Sequence, residues 1–139
     1  MTEDGSIYFD VIADVVGRLE AAPFFADHDI PILHKSPGNV GYLTESALAQ
    51  AGGIAVEVEV KHVKNLRPSQ HYNVDIWVYE VPTINRERTG YATAMQTAVV
   101  AGKVLDGQDW LWTDIDHELI NDGSTLLATA KVESIVQKG

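Results

Sequence analysis

The chain contains no cysteine. That excludes a disulfide framework, a cysteine-ligated zinc or iron–sulfur site, and a catalytic thiol. Positive charge is also scarce: 10 Lys and Arg stand against 20 Asp and Glu, for a formal net charge of −10. Nucleic acid and anionic bilayers carry the same sign, so the chain as a whole is poorly suited to coat either. No stretch approaches the roughly eighteen apolar residues of a membrane-spanning helix. The opening Met1-Thr2-Glu3-Asp4-Gly5 is acidic, whereas a secretory leader starts basic and runs into an apolar segment. These absences predict a non-exported protein without a membrane partner or a specific nucleic-acid partner. Internal repeats and low-complexity stretches are missing too.

What remains fits one globular domain over residues 1–139. The hydrophobic fraction is 45% and the charged fraction 22%, ordinary values for a folded soluble chain. Ile12, Val15, Val16 and Leu19 recur at helical spacing, with Asp14, Arg18 and Glu20 off the stripe, and Pro23 stops this N-terminal helix near Ala22. Pro23 to Gly41 is irregular, with a short extended piece at Ile30 to His34 and a turn at Ser36-Pro37-Gly38-Asn39-Val40-Gly41. Thr44 caps a short helix from Glu45 to Ala51, ended by Gly52-Gly53.

Two strand hairpins follow, separated by a helix. Ile54, Val56, Val58 and Val60 alternate with Ala55, Glu57, Glu59 and Lys61, which is a half-buried strand. After a turn through Asn65 to Ser69, Tyr72, Val74, Ile76 and Val78 form one face of a second strand. Its other face begins with Asn73 and Asp75 and ends with Trp77, Tyr79 and Val81. That apolar end must be covered on both sides, by a helix or by another subunit. A helix opens at Thr89 or Gly90 and runs to Leu105, with Met95, Ala98, Val99, Gly102 and Leu105 as its buried stripe. Its many small residues let it lie close to a sheet.

The last third is a hairpin turning at Asp122-Gly123. The implied register sets Leu119 against Leu126, His117 against Ala128, Ile115 against Ala130 and Thr113 against Val132. It also sets Asp116 against Thr129 and Asp114 against Lys131, so one face is apolar and the other polar with an opposite-charge pair. Trp110 and Trp112 fall opposite the core face and would be exposed unless a partner covered them. The predicted fold class is α+β: an antiparallel sheet of about four strands, as two hairpins, with the N-terminal and central helices on one face.

Catalytic signatures are lacking. There is no nucleophile elbow, no phosphate-binding loop, and no serine with an evident histidine partner. Asp114, Asp116 and Glu118 point one way on a strand and resemble a hard-cation site, but a solvated face of an acidic protein explains them as well. His28 lies between Asp27 and Asp29, and His62 and His71 flank the first hairpin turn without a third ligand. No catalytic residue, cofactor or metal is assigned. Arg86 and Arg88, beside the aromatic strand end Trp77 and Tyr79, are residue types enriched at interface centres. A surface loop with incidental charge is the plainer alternative.

Over Tyr79-Glu80-Val81-Pro82-Thr83-Ile84-Asn85-Arg86, then Thr89-Gly90 and an alanine-rich helix, the chain resembles the tail-terminator and tail-completion proteins of tailed phages and related neck proteins. The resemblance runs in pattern from Asn65 to the C-terminus and includes the N-terminal helix in type. It implies a structural virion protein without enzymatic activity, assembled in the host cytoplasm and located at the tail or neck. It implies a homo-oligomeric ring, often hexameric, that caps the tail tube, stops its growth and meets the head-side connector. The partners implied are further copies of the chain, the tail tube protein and the connector protein. Trp77, Tyr79, Asn85, Arg86, Arg88, Trp110 and Trp112 are the candidate interface residues. The alternatives are another head–tail connector, or a small metal-assisted α+β enzyme or ligand-binding domain using Asp114, Asp116 and Glu118.

Overall fold

A computed structural model describes residues 4–35, 41–66, 69–107 and 109–134. The turn predicted at Ser36-Pro37-Gly38-Asn39-Val40 and the tip residues Arg67-Pro68 lie outside the described residues. Helix α1 spans Asp4–Ala21, and Ile12, Val15, Val16 and Leu19 are buried as their spacing predicts. Pro23 does not simply end it. Proline is well suited to the first turn of a helix, where its missing N–H costs nothing, and a new helix α2, Pro23–Asp27, begins there. Strand β1 is Ile32–His34 and helix α3 is Glu45–Gln50. The Thr44 hydroxyl accepts from the Ala47 amide at 3.1 Å, the predicted cap.

Strands β2, Ile54–Leu66, and β3, Ser69–Glu80, form the first hairpin. A single helical turn α4, Pro82–Asn85, leads into helix α5, Ala94–Leu105. Thr93 and Gln96 close a reciprocal capping box at the start of α5, so the helix begins four residues after Thr89-Gly90 rather than at them. Its sheet-facing side is therefore Ala94, Thr97, Ala98, Ala101, Gly102 and Leu105. Met95 and Val99, predicted for that side, are only half-buried. Strands β4, Trp110–Ile120, and β5, Thr125–Ser134, form the second hairpin.

The sheet has five strands in the order β1-β2-β3-β5-β4, not four. It is mixed: β1 lies parallel to β2, with Ile32 opposite Val56, and every other neighbouring pair is antiparallel. Three residues are too few to display a period, and a parallel neighbour is chosen by the crossover through α3 rather than by a local turn. The predicted hairpin register holds from Asp114↔Lys131 to Leu119↔Leu126. A bulge between Trp112 and Asp114 then shifts it by one, so that Trp112, not Thr113, opposes Val132. That one extra residue turns both tryptophans to the other face.

Helices α1 and α5 cover one face of the sheet over the main core, which is built on Val56, Val58, Val74, Ile76, Val78, Ala128 and Ala130. The opposite face carries a smaller cluster of Leu48, Ala55, Tyr79, Val81, Ile120 and Leu127 at one end. The cover predicted for Trp77 and Tyr79 thus comes from the chain's own residues 41–48. The rest of that face bears no helix among the described residues.

Candidate functional site

The helix-free face is laid out in cross-strand rows by the register. Glu59, Asp75, Lys131 and Asp114 form one row, and Glu57, Trp77, Thr129 and Asp116 the next. Ala55, Tyr79, Leu127 and Glu118 form the third. In these three rows six carboxylates stand against one lysine, which makes this the acidic face of the sheet. Burial pushes the Glu59 carboxyl above its ordinary range, with Lys35 and Lys61 opposing the shift. Burial likewise raises Asp75, tempered by Lys131. Lys131 is itself held charged by its 2.9 Å pair with Asp116.

Lys35 enters this face from beyond the end of β1. Its Nζ donates to the Gly41 carbonyl at 2.7 Å, lies 3.8 Å from the centroid of the Trp77 ring, and sits 3.9 Å from Glu57 Oε1. Tyr42 packs on the same indole at 5.2 Å between centroids. Tyr79 is fully buried and donates to Glu57 Oε1 at 2.7 Å, and burial raises its hydroxyl pKa, with the Glu57 bond adding to the shift. Lys35 and Trp77 therefore lock the segment over the sheet through a cation–π contact.

The resemblance motif turns inward. Glu80 is fully buried at the end of β3. Its Oε2 accepts from Asn85 Nδ2 at 2.9 Å and from Arg86 Nε at 3.4 Å, and its Oε1 accepts from the Ala94 amide at 3.0 Å. Asn85, also buried, donates to the Ala92 carbonyl. Arg88 bonds Asn85 Oδ1 and the carbonyls of His28 and Asp29. One carboxylate thus ties β3, α4 and the start of α5 together. Arg86 is the exposed member of the motif. Glu80 belongs to the motif quoted for the resemblance, but a lone glutamate at a strand end carries no sequence signal of burial.

Trp110 and Trp112 face the helices, contrary to their predicted orientation, because of the bulge. Trp110 is buried, and its Nε1 donates to Asp14 Oδ2 of α1 at 3.1 Å. Trp112 packs its indole where a side chain at Gly102 would stand. Of the predicted set, Tyr79, Asn85 and Trp110 are buried within the chain, Trp77, Trp112 and Arg88 are half-buried, and Arg86 is exposed.

Asp114, Asp116 and Glu118 do share the acidic face, but Asp116 is engaged by Lys131. Among the described residues no three His, Asp or Glu side chains converge as metal ligands. His28 Nδ1 lies 2.8 Å from the Gly90 carbonyl and stacks on Phe24. His62 and His71 share a face without opposing each other, since His62 pairs with Asn73 and His71 with Lys64. On the helix side, α2 and α5 border an apolar groove of about 430 Å³ lined by Phe24, Tyr91, Met95 and Val99.

No family model matches the chain, and no curated protein matches it. The solved structures are more informative. The fold is similar to that of a chain in the virion of a native gene transfer agent particle. The TM-score is 0.57 at 14% identity, over 86% of this chain and 89% of the virion chain. Both chains are thus matched over nearly their whole length, so the likeness covers sheet and helices together. At that identity the likeness to the gene transfer agent chain is one of fold, carried by pattern rather than by conserved side chains.

Proposed function

We propose that the protein is a structural subunit of a phage-like virion, without enzymatic activity, that acts at the tail or neck. The observation that carries this is the near full-length fold likeness to a gene transfer agent virion chain. The resemblance of Tyr79 to Arg86 and the following helix to tail terminators supports the finer reading. In that reading copies of the chain close into a ring on the tail tube, end its growth and present a surface to the head-side connector. The acidic, helix-free sheet face suits the wall of a DNA channel, because carboxylates repel the phosphate backbone and leave DNA free to slide.

An in-frame deletion in a particle-producing strain tests the role. Electron microscopy should then show tails of uncontrolled length, or tails unjoined to heads. Normal, joined particles made without the chain would overturn the proposal.

A further inference from the structure

The sheet has two open edges. Strand β1 covers β2 only at Val56–Val58, and the Lys35 amide continues to the Val58 carbonyl. From residue 60 to 66 no described strand lies on the outer side of β2. At the other end of the sheet β4 is the edge strand. The Asp106–Gly107 segment covers its start, with Gly107 bonded to Trp110 and the Trp112 amide to Asp106 Oδ1. From residue 113 to 120 no described strand lies outside it. Edges this long are templates for strand addition; charge along them blocks pairing with an edge of like sign and leaves an edge of opposite sign as the acceptable neighbour. The irregularities, at Val60/His62 on β2 and Trp112/Asp114 on β4, lie near one end of each open stretch.

The two edges differ in charge. Residues 60–74 hold no Asp or Glu, in a chain with 20 of them. In sequence they hold Lys61, His62, Lys64, Arg67 and His71 instead, and Lys61, His62 and Lys64 are exposed. The β4 edge presents Asp114, Asp116 and Glu118, all exposed.

The faces also match. His62 and Lys64, paired with Asn73 and His71, lie on the acidic, helix-free face of the sheet. Asp114, Asp116 and Glu118 lie on that same face of β4. Among strand residues on the helix side, the exposed large apolar ones are Val63 on β2, at 41% exposure, and Leu119 on β4, at 66%. If β2 of one copy continued the sheet antiparallel beyond β4 of another with Val63 opposite Leu119 on the helix side, Lys64 would stand directly opposite Glu118 on the other face, with Asp116 as its diagonal neighbour. Strands β2 and β4 run in opposite directions within the sheet. Copies related by rotation about an axis along the strands would therefore meet antiparallel, the better-bonded arrangement.

We propose that the partner of the basic β2 edge is the acidic β4 edge of a second copy of this chain. The contact is heterologous, head to tail, so it propagates until it closes. It deepens the ring reading above by naming the two surfaces that would join.

Cysteine cross-linking tests it, and the cysteine-free chain gives a clean background. Val63→Cys and Leu119→Cys change exposed side chains only. Under mild oxidation the mixed single variants should give a Val63→Cys to Leu119→Cys dimer severalfold faster than either variant gives its own homodimer. The double variant should give a ladder. Adding Lys61→Glu and Lys64→Glu to the Val63→Cys chain should abolish the mixed dimer at low salt. Pairing that chain with Leu119→Cys carrying Asp116→Lys and Glu118→Lys should restore it, which a folding defect would not allow. Homodimers as fast as the mixed product, or charge reversal without effect, would overturn the proposal. A mixed dimer with tails unaffected by gene deletion would sink the virion role and leave this interface standing. Rings without the mixed cross-link would do the reverse.

Discussion

At the scale of single residues, the chain spends its buried polar groups on holding segments together. Glu80 satisfies an amide at the start of α5, the Asn85 side chain and part of Arg86. A buried carboxylate is costly unless every oxygen is engaged, and here both are. Truncating it would orphan buried donors, each costing about 1–3 kcal/mol. Glu80→Ala should therefore lower stability by about 2–4 kcal/mol in urea unfolding, while Arg86→Ala, whose guanidinium is half exposed, should cost under about 1 kcal/mol. The cross-strand acids Glu59 and Asp75 act in the opposite sense. Burial raises both, with Glu57 and Asp116 adding like charge and Lys35, Lys61 and Lys131 opposing. A raised carboxyl binds its proton more tightly folded than unfolded, so its ionisation destabilises the fold. Stability should fall as pH rises from the ordinary carboxylate range, about 4, through the raised values. Glu59→Gln with Asp75→Asn should flatten that slope and raise Tm at pH 7, measured by calorimetry across pH. An unchanged slope would refute the assignment.

At the scale of elements, local signals and tertiary choices separate cleanly. The α1 stripe, the Thr44 cap, the alternation of β2 and the register below Asp114 were legible because each is written in neighbouring residues. The bulge at Thr113 was not. Nothing near Trp110-Leu111-Trp112 marks an extra residue; what favours it is the slot at Gly102 on α5, far away in sequence. A Cβ at Gly102 would fall within the Trp112 indole. Gly102→Ala should thus destabilise by about 1–3 kcal/mol through overpacking, despite alanine's better helix propensity. Pairing it with Trp112→Val should recover most of the loss, and additivity of the two would contradict the packing account. Strand β1 was visible only as an extended piece, because parallel pairing is settled by where α3 and its loop travel. The acidic rows were half legible: period two put Glu57 with Glu59 and Asp114 with Asp116, but only the assembled sheet aligned the two sets.

At the scale of the whole molecule, the −10 charge is not spread evenly. Six of the 20 Asp and Glu fall in three adjoining rows of one sheet face, three of them on the β4 edge, while residues 60–74 toward the opposite edge hold none. Acid at one edge and base at the other is what the proposed head-to-tail contact needs. It suits a subunit that repeats by joining unlike surfaces. Self-assembly is what the proposed role requires, and the solution mass tests it. Light scattering over a wide concentration range, with and without divalent cations, should give a discrete multiple of the 15.2 kDa chain mass that is indifferent to metal. A monomer at every concentration, or a mass governed by a bound cation, would contradict the account.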